Sequence, residues 1–438
     1  MAINSKSVGI LTLGCKVNQY ESQAIAERFE AFGYTVLPAD AVCDVYVINT
    51  CTVTAESDRK ARQFIRRAHS QNKNAPILVT GCFAQTSADE ILSIEGVSYV
   101  SGNREKLSVV DAAESLLKKS TESFQKNSVR DIFSANFEKM NITKFDRTRA
   151  YVKIEDGCDS KCTYCIIPSA RGHIRSKAPE DVISEVEELT RGGCREVVLT
   201  GIETASYGKD LPDTDLADII LRVSKIDGIG RIRLGSLDPS LITESFVNRI
   251  KDVSALAPHF HLSLQSGSDK VLALMKRKYN SKMALRAIEL LGNAFPDAQF
   301  TTDVIVGFPG ETDEDFSETV EFAKKARFLQ IHIFPYSKRA GTVAASMPNQ
   351  LPKQTKKERL AILSALESGI RQEILSKFVD GSRECDVLFE TFENGYVIGH
   401  TSNFIEVCAP SELPLHSKTC RVRLESTDGN SCFGKIIS

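Results

Sequence analysis

Cys158, Cys162 and Cys165 stand close together in the segment DGCDSKCTYCIIP, with three residues between the first pair and two between the second. Three thiolates on one short loop can hold three irons of a [4Fe–4S] cube and leave the fourth iron free to chelate a small molecule. Structural zinc normally takes four protein ligands, often as two separated CxxC pairs, and no second pair accompanies this loop. Asp159, Ser160 and Lys161 make the loop polar, which sets it apart from a run of inert buried cysteines.

Three further cysteines occupy equivalent positions. Cys15 closes LTLGC, Cys51 closes VINTC and Cys82 closes LVTGC, so each ends an apolar, strand-like run. In a parallel sheet the carboxyl ends of neighbouring strands lie side by side, ~4.8 Å apart, so these three could surround one cluster. One such cysteine alone would read as a small buried apolar residue; three in register read as a site. Cys43, Cys194, Cys385, Cys408, Cys420 and Cys432 show no comparable pattern and read as core or surface. Twelve cysteines in a reducing compartment point to metal binding or catalysis rather than to a disulfide framework.

Chemistry at strand ends needs a scaffold that gathers those ends. Short apolar runs alternate with amphipathic segments from the start of the chain: Val8 to Leu13 then Glu21 to Phe32, Val45 to Ile48 then Ala55 to Ala68. That alternation predicts a parallel sheet covered by helices, assigned to residues 1–120. Residues 121–147 are polar and aperiodic and read as a linker. From Ala150 the alternation resumes in longer units, through REVVLTG, RIRLGSL, HFHLSLQSGS, FTTDVIVGFPGE and FLQIHIFPYS. About six such units fit a partial (βα)6 barrel over residues 148–378, with function expected beyond the carboxyl ends of its strands. Residues 379–438 carry short alternating stretches with glycine turns, the pattern of a small β-barrel. The fold class is α/β in three units.

A net charge of −2 and a pI near 6.4 mean that a nucleic-acid partner must be met by a local basic surface. The helix predicted after Cys51 offers one, since Arg59, Arg62 and Arg66 fall at helical spacing; a merely solvated face is an equal reading. Lys276, Arg277 and Lys278 invite the same two readings. No run approaches the ~18 apolar residues of a membrane span, and the first residues lack a basic leader with an apolar core. The expected location is the cytoplasm, with no membrane partner.

The CxxxCxxC loop at the first strand of a βα barrel resembles the radical S-adenosylmethionine superfamily. In that superfamily the open iron binds the methionine amine and carboxylate, and an electron from the cluster cleaves the cofactor to a 5′-deoxyadenosyl radical. Across nearly the whole chain the resemblance sharpens to the MtaB-type methylthiotransferases, which act on N6-threonylcarbamoyladenosine in tRNA. TLGCKVNQYES, VINTCTVTAESDRKARQ, VTGCFAQ, YVKIEDGCDSKCTYCIIPSARG, HFHLSLQSGSDKVLALMKRKY, TTDVIVGFPGET and FPYSKRAGT carry it. The resemblance implies two [4Fe–4S] clusters, one at Cys158, Cys162 and Cys165 binding S-adenosylmethionine, and an auxiliary one at Cys15, Cys51 and Cys82 that binds or donates sulfur. It implies Gly201 and Gln265 as cofactor-pocket residues, and residues 379–438 as a TRAM domain, a small RNA-binding β-barrel. At LTGIETASYG the chain departs from the family's usual pattern, and no role is carried over to Glu203. Five basic against nine acidic side chains give residues 379–438 a net charge of −4, where phosphate contact wants a positive face.

The implied reaction inserts sulfur at C2 of an adenine and adds a methyl group from a second S-adenosylmethionine. That carbon is too weakly acidic for a positioned carboxylate or histidine, so a radical generator and a sulfur source must coexist. An electron donor and a sulfur source are further partners that the sequence does not identify. Methylthiolation of a ribosomal protein or of isopentenyladenosine in tRNA is the alternative within enzymes, the GCKVNQYES loop favouring RNA. A non-catalytic iron–sulfur RNA-binding protein is the alternative of another class.

Overall fold

Strands Ser7–Thr12, Thr35–Leu37, Val45–Thr50, Ile77–Gly81 and Val97–Val100 build the first sheet, all parallel, in the spatial order 2-1-3-4-5. The structure, a computed structural model, describes residues 6–118, 126–145, 148–381 and 383–438. VYVINT and ILVTG are buried along their whole length, as interior parallel strands covered on both faces must be. Ile25 and Phe29 of helix Lys16–Ala31, with Val109 and Val110 of helix Ser108–Leu117, cover one face. Ala61 and Ile65 of helix Ala55–Gln71 cover the other. Strand order reverses between the first and third strands, so their connections leave to opposite faces and open a crevice at the carboxyl edge. Cys15 and Cys51 follow those two strands, and Cys82 follows the fourth.

The central unit consists of six parallel strands in two groups of three, Ala150–Lys153, Glu196–Thr200 and Arg231–Leu234, then His259–Gln265, Gln299–Val306 and Gln330–Pro335. The bridges Ile232 to Leu256 and Leu237 to Leu262 join the groups into one open barrel. Alternation along its strands has a clear sense. Phe260, Leu262 and Leu264 are buried beneath the helices, whereas His261, Ser263 and Gln265 remain accessible on the inner face. The lumen is therefore a polar, reachable chamber rather than a packed core.

Helix Lys353–Val379 leads from the barrel to a closed five-stranded β-barrel, Glu384–Glu393, Tyr396–Thr401, Glu406–Pro410, Thr419–Thr427 and Cys432–Ile436. Leu375 and Phe378 of the helix share its core with Val387, Phe389, Val407 and Leu424. From it Phe404 stacks on His259 at 4.5 Å and lies 4.9 Å from the Arg233 guanidinium, at the amino-terminal end of the large barrel. Among the described residues no helix is long and apolar enough to cross a membrane.

Of the connecting segment, residues 126–145 carry no helix, yet they are held firmly; 121–125 and 146–147 lie outside the described residues. Ile132, Met140 and Ile142 are buried, and the Glu138 carboxylate accepts the backbone N–H groups of Lys106 and Leu107. The Met140 carbonyl accepts both the Tyr20 hydroxyl at 2.6 Å and the Lys177 ammonium at 2.8 Å, so the segment fastens the first unit to the barrel.

Candidate functional site

Both cysteine groups lie just after strand ends. Cys15 caps the start of helix Lys16–Ala31 and Cys82 opens the short helix Cys82–Thr86. The thiols of Cys15, Cys51 and Cys82 are close enough for their charges to oppose one another, and burial pushes Cys15 up and Cys51 up to about 12. Gly14 permits this approach, since a Cβ there would fall 2.7 Å from the Cys51 Cβ, and its φ of +105° suits glycine.

The loop of Cys158, Cys162 and Cys165 follows the first barrel strand. Burial pushes Cys165 up to about 12, with the Cys162 charge adding to it, and raises Cys158. Two side chains that the sequence did not single out for this loop touch its sulfurs. The Glu203 carboxylate accepts from Cys158 Sγ at 3.2 Å and from the Ser160 hydroxyl at 3.3 Å. The Arg277 guanidinium donates to Cys162 Sγ at 3.1 Å and to Asp238 at 2.8 Å. Arg277 is thus neither a solvated charge nor a surface contact, although its neighbours Lys276 and Lys278 are exposed.

Gly201 stands where the second barrel strand ends, and its bareness has a steric reason: a Cβ would come within 2.5 Å of the Glu155 carboxylate. Glu155 is fully buried, which pushes its carboxyl well above the usual range, and it accepts the Glu203 N–H at 2.8 Å. Gln265 ends the fourth barrel strand with a φ of +70°, on the accessible inner face.

One side chain reaches from the segment after the Cys165 loop to the first group. Arg171 ends the five-residue helix Ile167–Arg171, six residues after Cys165, and is fully buried. Its Nε donates to Cys82 Sγ at 3.3 Å, its Nη1 to Glu21 at 2.7 Å and to Asp156 at 3.1 Å, and its Nη2 to the Asn18 side-chain oxygen. Lys106 and Lys153 also pair with Glu21, and Lys153 and Arg175 with Asp156. Two carboxylates therefore face four cations in a sealed seam beside the cysteines. A thiolate-ligated iron–sulfur cluster is anionic, and surplus buried positive charge with N–H donors aimed at sulfur is what such a group needs. The group of Cys15, Cys51 and Cys82 fits a cluster on these grounds, and at the other loop Arg277 aims an N–H donor at the Cys162 sulfur.

Arg59, Arg62 and Arg66 lie on helix Ala55–Gln71, away from the sulfurs. Arg59 is paired with Glu56, Arg62 pairs with Glu90 at 2.8 Å and lies over Phe83, and Arg66 is exposed. Among the described residues no partner of opposite charge brings the three together.

Residues 152–323 match the Radical SAM superfamily, and residues 7–102 match the uncharacterized protein family UPF0004. Threonylcarbamoyladenosine tRNA methylthiotransferase MtaB of Bacillus subtilis is 40% identical over 95% of this chain and 93% of its own. The chain belongs to the MtaB family. The MtaB protein of Thermotoga maritima is 44% identical over 82% of this chain and 81% of its own. A tRNA-2-methylthio-N(6)-dimethylallyladenosine synthase of Aquifex aeolicus is 32% identical over 99% of both chains. Among solved structures, the radical S-adenosylmethionine methyltransferase TsrM of Kitasatospora setae matches with a TM-score of 0.56 at 17% identity, covering 78% of this chain and 77% of that one. That likeness is one of fold.

Proposed function

We infer that this MtaB-family chain is a tRNA methylthiotransferase that converts N6-threonylcarbamoyladenosine at position 37 to its 2-methylthio form by radical S-adenosylmethionine chemistry. The observation that carries the reading is the pair of cysteine triads, each following strand ends, with the buried Arg171 of the helix after the Cys165 loop donating to Cys82 Sγ. Cys158, Cys162 and Cys165 are assigned the cluster that binds S-adenosylmethionine, and Cys15, Cys51 and Cys82 the auxiliary one. When bound, these groups supply the radical that activates C2 and the sulfur that replaces its hydrogen.

The chain's own residues set the conditions for that chemistry. Arg277 and Arg171 donate N–H groups to a sulfur of each triad and balance its negative charge. Once Cys158 is ionised, Glu203 loses its S–H donor and its carboxylate is free to accept from an ammonium such as that of a methionine. Gly201 lets Glu155 hold the Glu203 backbone in place, and Gln265 lines the chamber above the inner strands. Transfer RNA is the partner, with the basic face of Arg59, Arg62 and Arg66 as a contact; the location is the cytoplasm.

Mass spectrometry of tRNA nucleosides from a deletion strain tests the reading. The methylthio form of threonylcarbamoyladenosine is expected to vanish. Loss of methylthiolated isopentenyladenosine instead, or of a modified ribosomal protein side chain, would overturn the substrate and leave the reaction class.

A further inference from the structure

The inner face of the large barrel holds a polar cluster that the cysteine sites do not use. His261, Asp303 and His332 lie on its last three strands, with one polar atom of each within 4.8 Å of the others. His261 Nε2 meets Asp303 at 3.2 Å, and its Nδ1 meets the Thr301 hydroxyl at 2.9 Å. Lys16 enters the same space from the first unit. It directly follows Cys15, and its ammonium feels the charges of Asp303, Arg233, Cys15 and Arg149.

Cys15 and Lys16 are both exposed to solvent. Arg233, whose guanidinium lies over Phe404, is 4% exposed and pairs with Glu196 through Nε; among the described residues neither of its terminal nitrogens has a hydrogen-bond partner. A buried guanidinium with idle donors is costly unless something fills them.

We propose that Lys16 and Arg233, with His261, Asp303 and His332, bind the substituent on N6 of the target adenosine and select an anionic, hydroxyl-bearing group there. The inference rests on the tRNA reading above. C2 and C6, the carbon that carries N6, flank N1 on one edge of the six-membered ring, so a base presenting C2 to Cys15 and its partners presents N6 to the adjoining surface. A threonylcarbamoyl group ends in a carboxylate and carries a hydroxyl and urea N–H groups. The carboxylate matches Lys16 and the idle Arg233 donors, and the hydroxyl and N–H groups match Asp303 and the imidazoles. An isopentenyl group offers none of these and would leave the cations unpaired in its presence.

The test uses the anaerobically reconstituted full chain and three anticodon stem–loops that differ only at the target, with threonylcarbamoyladenosine, isopentenyladenosine or adenosine. Equilibrium binding and methylthiolation are measured for wild type, Lys16→Met and Asp303→Asn. Both variants are expected to lose preference for the threonylcarbamoyl stem–loop over the adenosine one by roughly tenfold, with iron content retained. Unchanged discrimination in both variants would overturn the inference. So would a stoichiometric divalent ion beyond the cluster irons that is lost in Asp303→Asn, since the triad would then be a cation site. If wild type itself ignores the threonylcarbamoyl stem–loop and modifies the isopentenyl one, the substrate reading fails and this inference with it.

Discussion

Replacing Arg171 with Met tests whether the seam between the two cysteine groups is a structural joint. The side chain is fully buried and contacts Glu21, Asp156, Asn18 and Cys82 at once. Removing one partner of a buried ion pair costs about 3–5 kcal/mol because the other charge is left uncompensated. Here Glu21 keeps Lys106 and Lys153, and Asp156 keeps Lys153 and Arg175, so no carboxylate is stranded. The lower bound, about 3 kcal/mol, is therefore expected. For units of this size that is roughly 6–12 °C in the anaerobic thermal midpoint of the apo chain. The Cys82 sulfur keeps only the longer donation from the Asn103 side-chain amide at 3.5 Å, so iron after reconstitution is expected to fall from about eight per chain toward four. Arg171→Lys restores a charge but not the fork of donors, and should recover only part of the loss. A variant melting within about 2 °C of wild type and binding its full iron would refute the argument.

The triads should separate in function. Cys15, Cys51 and Cys82 changed together to Ala should leave about four irons and measurable cleavage of S-adenosylmethionine but no methylthiolated RNA, whereas the same change at Cys158, Cys162 and Cys165 should abolish cleavage. Product at the wild-type rate from the first variant would end the auxiliary-site assignment. Burial alone would push Glu196 up, but Arg233, Arg149 and Arg231 outweigh it and hold its carboxyl at about 2. A depressed carboxylate stabilises above its unfolded value and loses that contribution as pH falls toward 2, so Glu196→Gln should cost about 3 kcal/mol at neutral pH and little near pH 2, read by circular dichroism of the apo chain. Gly201→Ala places a Cβ 2.5 Å from the Glu155 carboxylate and should weaken S-adenosylmethionine binding severalfold by displacing Glu155 and Glu203; equilibrium binding that is unaltered would remove the steric role.

The six cysteines were legible because strand-end position and CxxxCxxC spacing are local features, and the periodicities of 2 and 3.6 residues marked the same three units that the chain forms. Arg277 was not legible in that way. MKRKY looks like a solvated charge run, but Lys276 turns the backbone to a φ of +56° after helix Asp269–Leu274 and sends Arg277 beneath the cysteine loop. Glu203 and Arg171 escaped for a related reason: the partners that give them meaning, Cys158 for one, Glu21 and Cys82 for the other, are 45 to 150 residues away. The segment after residue 120 looked aperiodic because Ile132, Met140 and Ile142 pack at irregular intervals between two units instead of along one face.

An open barrel leaves its inner face exposed between its first and last strands, and the first unit covers that side at two rims. At one, Glu21 and Tyr20 of helix Lys16–Ala31 engage Lys153, Arg171, Glu185 and Lys177. At the other, Arg339, after the last barrel strand, pairs with Asp58 at 2.7 Å and reaches the Thr52 hydroxyl next to Cys51. Contacts at both rims hold the first unit, with the exposed Cys15 and Lys16, against the open side of the barrel. Because the joint is ionic and sealed from water, it is rigid at little cost to its partners: each carboxylate has at least two cations, and the surplus positive charge lies where thiolate sulfur is bound. The same arrangement that fastens the units together therefore sets the electrostatic field of the auxiliary cysteines.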